Sequence, residues 1–233
     1  MSHAPDTDRD EPPASDAARH DASRRDEDLR IDEDLRIDVA LRAMALKDEP
    51  RRGWVLRSVE APESVAGHAW GTALLCLLFA DAAGVDPGRS VAIAVLHDIA
   101  EAETGDVAAR ADPADREVSE AEKARRERAA IASLLPDAVA DLRALWQAYE
   151  DRADPEAVFV RDMNLVDMCL QALIYQQEQR YDPLATITSR GGHAHLDEFF
   201  ASAGARLSTP LSRRLFDRVA ARYEAAKRVE EPR

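Results

Sequence analysis

Cysteine is scarce in the 233-residue sequence: only Cys76 and Cys169 occur, with no CxxC or CxxH spacing. Their number and spacing exclude a disulfide framework and a thiolate zinc site. Both lie in apolar helical patterns, so buried reduced thiols in a cytoplasmic protein are expected. Aromatic residues make up 5% of the chain and glycines number nine. So little of either, beside abundant Ala, Leu and Arg, disfavours sheet and predicts an all-α fold. Positive charge is also in deficit, with 31 Lys and Arg against 45 Asp and Glu and a net charge of −14. Binding a nucleic acid polymer or an anionic membrane needs the opposite balance, because Lys and Arg must displace counterions from phosphates. No uncharged apolar run is expected to span a membrane, and the stretch MSHAPDTDRDEPPASDAARH lacks an apolar core of signal-peptide length. A soluble, unexported protein is therefore expected.

The chain has the length of one domain with a substantial core plus a tail. Residues 1–33 are expected to be a disordered acidic tail and residues 34–228 the folded domain. Residues 1–38 contain 13 acids against 6 arginines, a net of −7, so this end carries half the total charge. DEDLRI occurs twice in tandem, at residues 26–31 and 32–37. Two copies are too few for a solenoid, and a local duplication at the start of a helix is the simpler account.

Helical periodicity begins at Leu35, Val39, Leu41, Ala45 and Leu46. RRGWVLRSVEAPES reads as a non-helical connector. Ser64 can cap a helix running to Ala83 and stopped by Gly84, and Asp86-Pro87 opens the next, which carries the run Val91 to Leu96. A charged helix is expected from about Asp115 to Leu134, one from Pro136 to Tyr149, and a long one from Asp154-Pro155-Glu156 to Gln179. Helices over Leu196–Ala203 and Thr209–Ala226 complete a helical bundle.

One segment departs from core chemistry. The apolar run SVAIAVL leads into His97, Asp98, Glu101, Glu103 and Asp106 within ten residues. On a helix Glu101 projects near both His97 and Asp98. Imidazole and carboxylate together suit Mn²⁺, Co²⁺, Fe²⁺, Ni²⁺ or Zn²⁺, and adjacent ligands can share one ion where a helix bends or ends. His68, in the apolar SVAGHAWGTALL, is the natural third ligand. A lone histidine on an apolar face is more often a hydrogen-bonded core residue. Two histidines and an aspartate on consecutive core helices, with a glutamate one turn on, favour a metal site, because burying so many polar groups without one is costly.

RRGWVLRSVEAPESVAGHAW, AVLHDIAEAETGDV, LWQAYE, FVRDMNLVDMCLQALIY and LDEFFASAGARL together resemble the HD-domain metal-dependent phosphohydrolases, in their 5′-deoxynucleotidase branch. The resemblance spans roughly Val39 to Val219. It implies an all-α fold, commonly a homodimer, with one divalent ion (Mn, Co, Fe, Ni, Zn or Mg) and hydrolysis of (deoxy)nucleoside 5′-monophosphates. By the same resemblance His68, His97, Asp98 and Asn164 are the metal ligands and Glu101 is the catalytic carboxylate. Asp106 lies near the sugar, Arg52 meets the phosphate and Trp54 walls the pocket. Arg57 and Glu63 fit the pattern, Arg57 as a structural residue.

Two departures stand out. Asn164 occupies the position of a family aspartate and brings no charge, so weaker metal affinity is expected, with Asp167 one turn on as an alternative ligand and Asp162 pointing elsewhere. Gly67 stands where relatives carry an acid before the first histidine. Two further readings follow: a phosphohydrolase retuned for an unusual nucleotide in nucleoside natural-product metabolism, or a catalytically weakened nucleotide-binding regulatory protein. Elsewhere structural readings are preferred: His193 and His195 as solvated loop residues, Trp146 and Tyr149 as packing residues with Glu150 at the pocket border, and EKARRER as a solvated helix face.

Overall fold

The computed structural model describes residues 32–108, 117–181 and 193–230. Most of the tail expected over residues 1–33 lies outside these, as do Asp115 and the two glycines of GGHAH. The chain divides into two units, Met1–Asp38 and Val39–Arg233. In the first, residues 32–38 are helical, with Arg36 Nε 2.7 Å from Asp32 Oδ2. The helical run 32–43 is α1.

The second unit is all-α among the described residues, apart from one isolated bridge between Pro50 and Ser64. A 3₁₀ turn over Met44–Lys47 leads to α2 (Arg52–Leu56), α3 (Val65–Ala83), α4 (Pro87–Leu96) and the short α5 (Glu101–Thr104). Then come α6 (Glu120–Leu134), α7 (Ala140–Asp151), α8 (Pro155–Gln177), α9 (Asp197–Gly204) and α10 (Pro210–Glu230).

The chain's own capping groups set most of these boundaries. Ser64 accepts from the Gly67 amide at the start of α3, and Gly84 ends that helix at φ 72°, a left-handed geometry glycine adopts without a Cβ penalty. Asp86 and Asp154 cap α4 and α8 by accepting from the Arg89 and Ala157 amides, each followed by a proline that needs no intrahelical donor. The charged helix starts at Glu120 rather than near Asp115, because Ser119 caps it through the Glu122 amide.

α8 is the central element, packing against α3, α4, α7, α9 and α10. Its buried residues run right round the helix, as a helix covered on several sides requires. A second apolar cluster, including Leu96, Ile99, Ile131, Leu134 and Trp146, fastens α6 and α7 to the end of α4.

Two expectations need correction. The connector RRGWVLRSVEAPES contains the helix α2, held by burial of Trp54 against Phe199 and Tyr175 rather than by local propensity. α3 is long and apolar enough to cross a membrane by length and composition, with 44% of it buried. Its inner face packs against α4 and α8 and carries the fully buried His68 and Thr72, which accounts for its apolar character as a core helix.

Candidate metal centre

α4 stops at Leu96, and His97 and Asp98 follow in a turn, so neighbouring side chains that a continuous helix would splay apart reach one point. His97 Nε2 lies 3.3 Å from His68 Nε2 and 3.1 Å from Asp98 Oδ2, with His68 Nε2 3.8 Å from the same oxygen. Three donor atoms thus converge from α3 and the end of α4.

The outer ring nitrogens fix how the imidazoles present themselves. His97 Nδ1 is 2.7 Å from the Ala94 carbonyl, which can only accept, so that nitrogen carries the hydrogen. His68 Nδ1 is 2.6 Å from Asp167 Oδ2. Burial, reinforced by Arg51 and His97, pushes His68 down to about 3, so its ring is neutral. Held by their outer nitrogens, both rings turn Nε2 toward Asp98 Oδ2, so three ligand-type atoms face a common point that a cation can bridge. Two imidazole nitrogens and a carboxylate oxygen suit a divalent transition ion. Glu101 adds an independent sign: its side chain is buried and Oε2 has no hydrogen-bond partner. The residues fit a metal site.

A cavity of about 580 Å³ opens over these groups, lined in part by Trp54, Glu101, Asp106, Tyr149 and Asn164. Burial, followed by the nearby Asp98 and Asp106 charges, raises Glu101 well above the usual carboxylate range. Burial also opposes ionisation of Asp98, but His97, Arg51 and His68 outweigh it and hold this group low.

Register matters at the arginine pair. An antiparallel pairing, with Arg51 N donating to the Glu63 carbonyl at 3.0 Å and Val65 N to that of Glu49 at 2.9 Å, lays this segment beside the start of α3. It turns Arg51 inward, with Nη1 3.3 Å from Asp98 Oδ2 and the side chain on the cavity wall. Burial works to lower the Arg51 pKa, but Asp106, Asp98, Glu101 and Glu63 more than offset it. Arg52, the residue expected at the phosphate, instead reaches Glu117 at 3.1 Å on the exposed side. Its backbone amide donates to Asp106 Oδ2 at 2.5 Å, while Asp106 N donates to Glu49 Oε1. Trp54 is on the wall as expected, its indole N–H donating to Glu63 Oε1 at 2.9 Å.

The α8 positions separate. Asn164 lines the cavity, and its Nδ2 donates to the Tyr149 hydroxyl at 2.7 Å. Asp167 sits on the opposite nitrogen of His68 from Asp98, where a carboxylate orients an imidazole, and with Glu63 it forms a second possible donor group around that ring. Burial pushes Asp167 up to about 7. Asp162 does point elsewhere, accepting from Ser208 N, Thr209 N and Ser212 Oγ at the start of α10. Arg57 is buried against Glu198 and the His193 carbonyl, a structural setting.

Sequence reasoning missed two residues of the cavity. Lys123, read as part of a solvated face, has its Nζ 3.5 Å from Glu101 Oε1 and 3.3 Å from Glu127. Tyr149 packs its ring edge-on to His97 at 5.2 Å but also lines the cavity, and burial keeps its phenol protonated. Tyr149 carried a clue, three residues on from the inward-facing Trp146, whereas the residues at helical spacing from Lys123, among them Glu120, Arg126 and Glu127, are themselves charged. Glu150 borders the cavity as expected. His195 is half-buried, with Nδ1 3.0 Å from the Tyr181 hydroxyl, rather than solvated.

The profile of the HD domain matches residues 43–197. The 5′-deoxynucleotidase HDDC2 of Danio rerio is 36% identical over 169 residues, covering 71% of this chain and 76% of that protein. Its Homo sapiens namesake is 40% identical over 135 residues, covering 56% of this chain and 63% of that protein. Among solved structures, a predicted metal-dependent phosphohydrolase from Magnetospirillum magnetotacticum superposes with a TM-score of 0.57 at 25% identity, covering 83% of this chain and 92% of that one. With its His68, His97-Asp98 centre held on the shared helical scaffold, the chain belongs to the HD-domain family.

Proposed function

We propose that the protein is a metal-dependent phosphomonoesterase that hydrolyses deoxynucleoside 5′-monophosphates to nucleoside and phosphate. The observation that carries this reading is the convergence of His68, His97 and Asp98 beneath a cavity that also holds the unpartnered Glu101 Oε2. The named activity of the vertebrate relatives supplies the substrate class. His68, His97 and Asp98 would hold one divalent ion, with the Asn164 amide oxygen as a neutral fourth donor. Such an ion supplies Lewis-acid stabilisation of phosphoryl charge and acidifies water.

The chain's own groups account for the rest. Arg51 presents its guanidinium to phosphoryl oxygens at a site too buried for bulk water to screen. Glu101 exchanges a proton at Oε2, and burial, by raising its pKa, favours its holding a proton more than a free carboxylate does. Lys123 fixes Oε1 so that Oε2 faces the reacting groups. Asp106, pinned by the Arg52 amide, accepts from a sugar hydroxyl, and Trp54 closes the wall beside it.

Phosphate release measured across deoxy- and ribonucleoside 5′-monophosphates, with Mn²⁺, Co²⁺, Mg²⁺ and Zn²⁺ in parallel, tests the reading. Glu101→Gln should cut turnover about 10²- to 10⁴-fold while metal content stays that of the wild type. No release from any monophosphate with any of these ions would overturn the assignment. The functional unit we propose is a cytoplasmic homodimer. Trp70, Leu74, Leu77 and Leu78 form an exposed stripe on α3, with Trp70 69% and Leu77 62% accessible, and such a stripe suits burial against a second copy.

A further inference from the structure

A tyrosine hydroxyl accepts a hydrogen bond with its oxygen and donates one with its hydrogen. At Tyr149 the accepting side is filled by Asn164 Nδ2 at 2.7 Å. The hydrogen has no acceptor among the described residues, although the side chain is only 4% exposed. Tyr149 lines the same cavity as His97, Asp98 and Arg51, with its ring against that of His97. A buried O–H left unpaired beside a ligand cavity is oriented for something that enters it.

Asn164 sets this direction. A carboxylate at position 164 could only accept, and the phenol would turn its hydrogen toward it. The amide reverses the polarity: its N–H₂ donates to the phenol oxygen and the phenol hydrogen is released. The same orientation leaves Asn164 Oδ1, the one atom of the amide able to meet a cation, free of the phenol.

Resting on the phosphomonoesterase reading, we infer that Tyr149 is a catalytic residue of this chain, donating its hydroxyl hydrogen to a phosphoryl oxygen of the bound monophosphate, with Asn164 as the residue that aims it. Phosphoryl transfer spreads charge over the non-bridging oxygens, and a fixed neutral donor beside Arg51 stabilises that charge without adding a further cation. The hydrogen stays on the phenol throughout, so no proton is transferred at this position.

The test uses Mn²⁺-loaded wild type, Tyr149→Phe, Asn164→Asp and the double variant. Three quantities are read: Mn²⁺ affinity, affinity for inorganic phosphate by calorimetry, and phosphate release from dAMP. Tyr149→Phe should leave Mn²⁺ affinity unchanged while weakening inorganic phosphate and lowering kcat by about tenfold or more. In the Asn164→Asp background the same Phe substitution should cost phosphate affinity nothing, because the hydroxyl there already serves the carboxylate. Equal phosphate affinity in wild type and Tyr149→Phe, or an equal loss in both backgrounds, overturns the inference. If the wild type hydrolyses no monophosphate, the phosphomonoesterase reading falls, and the phosphate titrations still decide the role of Tyr149.

Discussion

Gly71 has no room for a β-carbon. One built there would lie 2.1 Å from Asp167 Oδ1, so the carboxylate that holds His68 Nδ1 occupies space that only glycine leaves open. The residue sits mid-helix in α3, where glycine costs about 0.5–1 kcal/mol relative to alanine, and the position of Asp167 gives that cost a reason. Gly71→Ala should displace Asp167, unfix the His68 ring and weaken Mn²⁺ binding by about 10- to 100-fold, the usual effect of losing a group that orients a ligand histidine. Titration of the metal-free protein with Mn²⁺ measures this, and unchanged affinity would mean that Asp167 does not orient His68. None of this could be read from the chain alone: the three-residue step from Asn164 to Asp167 shows a shared helix face, but not which side of an imidazole each side chain meets. The arginine pair failed for a similar reason. Arg51 and Arg52 are chemically identical, and only the backbone pairing with Glu63 decides which one faces inward.

At the scale of the helix, α3 carries His68 into the core behind a start that is only half capped. Ser64 accepts from the Gly67 amide, yet Gly67 at the third helical position contributes no side chain. A β-carbon there meets Ser64 Oγ at 3.6 Å and Glu63 Cβ at 3.8 Å, both ordinary contacts. Gly67→Ala should therefore stabilise the fold by about 0.5–1 kcal/mol through loss of unfolded-state freedom, raising Tm by roughly 2–4 °C at this chain length. Calorimetry showing a lower Tm would indicate that the site needs a glycine at this point. Helix starts of this kind were legible in the sequence because Ser64, Asp86-Pro87 and Asp154-Pro155 carry local chemistry that works wherever the helix ends up. α2 was not, since it depends on the burial of Trp54 among residues far away in the chain. Lys123 escaped for the converse reason: on a helix of dense charge, periodicity gives no sign of the one cation whose stem runs inward to Glu101.

At the scale of the whole molecule, the two faces of α3 do different things, with His68 buried on one and the apolar stripe exposed on the other. If a second copy covers that stripe, Leu77→Glu should convert a dimer to a monomer in sedimentation velocity without loss of helical signal, since Leu77 contributes nothing to the protomer core. A wild-type protein that already sediments as a monomer would dispose of the dimer. The donor groups have a wider consequence. His68 and His97 stand 29 residues apart, yet with Asp98 they meet around one point. An ion held there would act as a removable staple between α3 and the end of α4, present in the native state and lost on unfolding. Thermal stability would then follow the free-ion concentration, by about 2.7 kcal/mol at a hundredfold excess over Kd. Chelation should lower Tm and expose interior bonds to protease, so that the same three side chains that prepare a phosphate ester for attack would also govern how long the protein survives.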